Sequence, residues 1–185
     1  MAAMLDAAAD VFAESGFDAA TMTAIAERSG SSIGALYQYF PNKLALAKAL
    51  REMYGEEMAG RWDGLIADAA HLSVVGLVDR VFELMVGFFD ERPAYFTLLA
   101  ATLDYRRDAG ARQRLRARLG AALREKKPAL DEEQAQRMAT VSLQIVKGLN
   151  PLYAEANAAE RVKLVAEFKL ALVGYLKSRL GQIPA

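Results

Sequence analysis

Apolar residues recur at three- and four-residue intervals along most of the chain, and short polar, glycine or proline breaks divide them into a succession of helices. Over residues 2–15, Leu5, Ala8, Ala9 and Phe12 share one face, while Asp6, Asp10 and Glu14 lie away from it. Gly16 offers a low-cost left-handed stop, and Phe17 is expected to tuck beneath as core. Two short helices follow, over about 22–29 and 33–39, parted by Ser29-Gly30-Ser31-Ser32. Thr21 is placed to cap the first and Ser31 or Ser32 the second; their inner faces carry Ile25 and Ala26, then Leu36 and Phe40. Neither is long enough to stand alone, so each must rest on its neighbours. A tight corner of two short helices near a chain end is the geometry of a helix-turn-helix.

Pro41 cannot continue the third helix, and Asn42 is a good cap for a long fourth one, in which Leu46, Leu50, Met53, Tyr54 and Met58 keep helical spacing to about Leu65. The stretch 72–89, with Ser73 as a cap, is apolar on more than one side and predicts a central, buried helix. Its β-branched part would suit a strand, but the spacing of Val74, Val78, Val81, Met85 and Phe88 favours helix. Pro93 opens a helix containing Tyr95, Phe96, Leu98, Leu99 and Leu103. Asp131 with Gln134 approximates a capping box for a helix to about Leu149 that carries Met138, Val141, Ile145, Val146 and Leu149. Asn150-Pro151 is expected to interrupt it. Asn157 with Glu160 then starts a last helix bearing Val162, Val165, Phe168, Leu172, Tyr175 and Leu176. The expectation is an all-α protein.

Composition narrows the class. With 185 residues, 54% of them hydrophobic, the chain has ample material for a core and is far from a disordered composition. Its apolar runs are short and interrupted by charge, so no membrane span or secretory signal is expected. The lack of cysteine removes disulfides and thiolate chemistry and fits a cytoplasmic protein. Charge is less helpful: Lys+Arg and Asp+Glu are both 23. Residues 1–45 hold two basic side chains, Arg28 and Lys43, against five acidic ones, Asp6, Asp10, Glu14, Asp18 and Glu27. Electrostatics alone would not suggest a nucleic-acid binder. Residues 104–127 carry nine Lys/Arg and three acidic side chains, a net of plus six, above an inward stripe of Leu115, Leu119 and Leu123. A solvated helix face explains that run better than a second phosphate-binding patch.

Catalytic equipment is missing. His71 is the single histidine, Glu56-Glu57 and Asp131-Glu132-Glu133 are spread around helices rather than converging, and Ser31-Ser32 have no nearby histidine. No glycine-rich loop follows a strand. An enzyme, a metal site and a cofactor are therefore not expected.

One resemblance is specific. The ordered combination A-A-A-D-V-F-A-E-S-G-F, T-M-T-A-I-A-E-R-S-G and G-A-L-Y-Q-Y-F-P-N-K, from Leu5 to about Leu46, resembles the N-terminal domain of the TetR family of transcriptional regulators. The resemblance implies a three-helix DNA-binding helix-turn-helix domain over residues 1–45. The helical remainder, 46–185, would bind an effector and dimerise. It maps phosphate contacts onto Thr23, Tyr39 and Lys43, and groove contacts onto Ile33, Gly34, Ala35, Tyr37 and Gln38. Ile33 and Ala35 depart from the polar residues frequent there, which shifts expected readout toward Gln38 and DNA shape.

The residues themselves add detail. Thr21 and Thr23 at the start of the second helix present hydroxyls or N–H groups to phosphate, and Lys43 offers charge. Tyr37 either reaches the DNA backbone or packs against the first helix; Tyr39 offers a second hydroxyl, and Gln38 an amide able to read adenine. Candidate effector-lining residues are Trp62, Leu65, Met85, Phe88, Phe89, Tyr95, Phe96, Leu99, Met138 and Gln144; such a stripe is more often plain core, but together they suggest an apolar or aromatic effector. The last two long helices, apolar and with small residues between, suit either a homodimer or closure of the chain's own core, and the resemblance implies the homodimer. The expectation is a ligand-responsive regulator, a repressor, that binds a palindromic double-stranded operator as a homodimer and is released by a small molecule. The alternative is a helical small-molecule-binding or scaffold protein with weak or lost DNA binding.

Overall fold

The computed structural model describes residues 1–101 and 109–181. Among them the chain forms helices α1 (Ala2–Ala19), α2 (Met22–Arg28), α3 (Ile33–Tyr39), α4 (Lys43–Ala69), α5 (Val74–Glu91), α6 (Ala94–Ala100), α7 (Ala109–Lys126), α8 (Glu132–Glu155) and α9 (Ala158–Leu180). The fold is all-α. Leu103, Arg106 and Arg107 lie outside the described residues. No helix among the described residues is long and apolar enough to cross a membrane. The residues divide into two compact units, Met1–Met58 with Gly87–Arg107, and Ala59–Val86 with Asp108–Ala185.

The first unit closes over Phe12, Ile25, Leu36, Leu46, Leu50, Phe88 and Leu98, all fully or nearly fully buried. Local chemistry sets its corners. Gly16 takes a positive φ of 78° and kinks α1 before its last residues. Thr21 Oγ1 accepts from the Ala24 N–H at 3.1 Å, and Ser32 Oγ accepts from the Ala35 N–H at 3.1 Å. Between these two caps Gly30, at φ 66°, closes α2: its N–H donates to Glu27 O at 3.1 Å while the Ser31 N–H donates to Ala26 O at 3.0 Å. This paired bond with glycine at the left-handed position is a Schellman cap, and it makes the turn between α2 and α3. Asn42 Oδ1 caps α4 by accepting from the Ala45 N–H at 2.9 Å. Phe17 is only half-buried, its ring 5.6 Å from that of Phe12.

In the second unit α8 packs against α7 and α9. Gly120 is buried where α7 meets α8: a Cβ there would lie 3.5 Å from the Ala135 backbone. Asp131 and Asn157 cap α8 and α9 through the Gln134 and Glu160 N–H groups, at 2.7 and 3.0 Å. The expected break at Asn150-Pro151 does not occur: α8 continues through Pro151 to Glu155. Proline removes one ladder bond, but Leu149 and Tyr153 are buried on either side of it and hold the helix to the core. Lys126 Nζ donates to the carbonyls of Ala70 and Leu72 just beyond the end of α4, and burial pushes its pKa down.

Candidate nucleic-acid interface and ligand crevice

The short α3 is anchored by one side chain and open on the other face. Leu36 is fully buried, whereas Ile33, Gly34, Tyr37, Gln38 and Tyr39 are exposed and Ala35 is half-buried. Tyr37 is 51% exposed, so it is not packed away against α1. A Cβ on Gly34 would meet nothing within 4 Å, so no internal packing demands a glycine there. The surface formed by Ile33, Gly34, Tyr37 and Gln38 is consequently low at one end and carries hydroxyl and amide groups at the other. Thr21 and Thr23 stand exposed at the start of α2; the Thr21 oxygen already accepts one hydrogen bond as a cap, leaving its O–H to donate.

Both basic residues of this region are engaged by the protein itself. Arg28 makes a forked pair with Glu14, at 2.9 and 2.6 Å, and lies 3.8 Å from Asp10. Its hydrogen bonds hold the Glu14 carboxyl below the usual value, and Glu14 raises the Arg28 pKa in return. Lys43 Nζ donates to the carbonyls of Phe17, Asp18 and Ala20 at 2.8, 2.7 and 3.2 Å, and sits 4.9 Å from the Phe17 ring centroid. Sequence patterning missed both arrangements. The Arg28 pair joins residues fourteen positions apart on two helices, and the Lys43 partners are backbone atoms with no residue signature.

The candidate ligand residues fall in different places. Trp62 and Leu65 line a narrow apolar crevice of the second unit, with a cavity volume of about 20 Å3; its walls come from α4, α5, α7, α8 and α9. Met85 and Met138 are buried in the same unit without lining that crevice, and Gln144 is exposed on α8. Phe88, Phe89, Tyr95 and Phe96 form a packed aromatic cluster of the first unit, with centroid separations of 5.3 Å for Phe88–Tyr95 and 4.7 Å for Phe89–Phe96. Tyr95 and Leu99 also border a second crevice there, beside Arg51 and Tyr54. Burial raises the Tyr54 pKa, and Arg92 pairs with Glu57 at 2.9 Å nearby. Of the residues lining the first crevice only Trp62 and Leu65 are among the sequence candidates; the others read as core, and Ser142 as a small spacer among apolar neighbours.

On α8 and α9 several large apolar residues face outward. Val141 and Leu152 are exposed on α8, and Val162 and Leu170 are 72% and 67% exposed on α9. A Cβ on Gly174 would meet nothing within 4 Å.

Over residues 4–50 the sequence matches the family described as "Bacterial regulatory proteins, tetR family", and over 75–176 that described as "Tetracyclin repressor-like, C-terminal domain". A TetR-family transcriptional regulator from Streptomyces coelicolor superposes with a TM-score of 0.70 at 25% identity, over 96% of this chain and 95% of that one. FadR from Bacillus subtilis, in complex with stearoyl-CoA, superposes with a TM-score of 0.60 at 18% identity, over 99% of both chains. Nucleoid occlusion factor SlmA of Marinomonas sp. is 29% identical over 99 residues, which are 54% of this chain and 47% of that protein. The match thus spans about half the length of that curated relative.

Proposed function

The chain belongs to the TetR family of bacterial regulatory proteins, and from that premise we propose that it is a ligand-responsive repressor that binds a palindromic operator as a homodimer. Residues 1–45 read DNA in the cytoplasm; residues 46–185 sense a small apolar or aromatic effector and dimerise through α8 and α9. The observation that carries the reading is the open face of α3. Ile33, Gly34, Tyr37 and Gln38 are exposed together while Leu36 alone anchors the helix. One such helix buries too little for tight specific binding, so two copies related by a twofold axis are required, with half-sites one or more helical turns apart. The apolar crevice and the acyl-chain compound held by FadR support an apolar effector. Effector binding favours a spacing of the two heads that no longer fits the operator, which needs only unequal affinity for two states.

The test is fluorescence anisotropy with DNA from beside the protein's own gene, at several salt concentrations. A sequence-selective, salt-dependent complex of two chains per operator is expected. Its absence at low salt would favour a helical ligand-binding protein with lost DNA binding. The engagement of both Arg28 and Lys43 within the protein is the feature on the side of that second reading.

A further inference from the structure

Among the described residues Ser142 puts the sole hydroxyl on the apolar crevice, and that hydroxyl has no hydrogen-bond partner among them. The residue is 5% exposed. A helical serine can return its O–H to the carbonyl four residues earlier, as Thr140 on the same helix does with Gln136 O at 2.8 Å. Ser142 does not. Around it the walls are aliphatic, among them Leu65, Val78, Leu123 and Val146, with Trp62 the one aromatic. Among the described residues no charged side chain lines the crevice.

We propose that Ser142 is the polar anchor of this crevice, and that its ligand is an apolar aliphatic molecule bearing one neutral hydroxyl or carbonyl group. The serine hydroxyl both donates and accepts, so it serves either an alcohol or a ketone or ester. A carboxylate or phosphate entering the same space would lose its hydration with no cation in return, which excludes acids as preferred ligands. The inference rests on reading the helical domain as an effector-binding one and adds the chemical class of that effector.

Trp62 is the only tryptophan of the chain and lines the crevice, so its emission reports occupancy without DNA. The probes are octane, 1-octanol, 2-octanone and octanoate, titrated into the full chain and into Ser142→Ala. In the wild type the neutral polar probes shift Trp62 emission and octanoate binds more weakly than 1-octanol. Ser142→Ala weakens 1-octanol and 2-octanone by about tenfold, the loss of one hydrogen bond, and leaves octane unchanged. The variant melts at the same or a higher temperature, because the hydroxyl it loses holds nothing in the free protein. The proposal is overturned if no neutral probe moves Trp62 emission, if 1-octanol binds both proteins alike, or if octane weakens as much as the alcohol. Failure of the effector reading looks different: 1-octanol then binds through Ser142 but leaves the operator complex intact.

Discussion

The ammonium group of Lys43 lies 2.7 Å from the carbonyl oxygen of Asp18, and with bonds to Phe17 and Ala20 it ties the start of α4 to the chain that follows the Gly16 kink. Its three donors are thereby used. Lys43→Ala is expected to lower head stability by about 1–2 kcal/mol, a few charge-assisted bonds in a partly exposed place. DNA affinity should fall to a similar degree on every sequence. A direct phosphate contact would also reduce the log–log salt slope by about 0.9; a tie that positions the helices would barely change it. Thermal melts and a salt series on the variant separate these roles.

Gln38 carries the one amide of α3 and stands on its exposed face. A bidentate amide–adenine contact discriminates against a wrong base by about 1–3 kcal/mol. Gln38→Ala should therefore narrow the affinity gap between the operator and single-base variants at one position in each half-site. Competition binding over a mutated operator set measures this, and equal losses on all DNAs would remove Gln38 from readout.

Much of the helix layout is legible along the chain because its determinants are local. Thr21, Asn42, Asp131 and Asn157 each cap the helix they precede, as their types and positions predict, and Gly30 supplies the positive φ that the turn between α2 and α3 needs. What was not legible depends on partners distant in sequence. Periodicity cannot tell an aromatic stripe that packs on itself, as Phe88, Phe89 and Phe96 do, from one that lines a crevice. It likewise does not tell that Gln144 is exposed on α8. Pro151 reads as a helix stop, but buried neighbours outweigh the one bond it forfeits.

The forked pair between Arg28 and Glu14 makes a pH prediction. Hydrogen bonding from Arg28 holds the Glu14 carboxyl below its ordinary value of 4.5. Its stabilising contribution is thus fully present above the unfolded-state value and is lost as pH falls through the lowered folded value. Both side chains are exposed, so the contribution is small. In Arg28→Ala the Glu14 carboxyl should titrate at higher pH, read by NMR, and the stability difference between variant and wild type should close in acid. An unchanged Glu14 midpoint would show that the pair does not persist in solution.

Val162 and Leu170 of α9 are 72% and 67% exposed, whereas Leu172, Leu176 and Leu180 further along the helix are buried. Apolar surface removed from water stabilises by roughly 25 cal/mol per Å2, so a twofold partner covering this strip together with Val141 and Leu152 gains burial on both copies at once. The same symmetry makes the strip sensitive to charge, because a residue near the axis meets its own copy. Val162→Asp combined with Leu170→Asp should yield a folded monomer, with an unchanged helical circular dichroism spectrum and half the sedimenting mass. Operator binding should collapse to the level of a single half-site, since the two α3 helices would no longer be held at a fixed distance. A double variant that still sediments as a dimer and still binds the operator would place the dimer contact elsewhere.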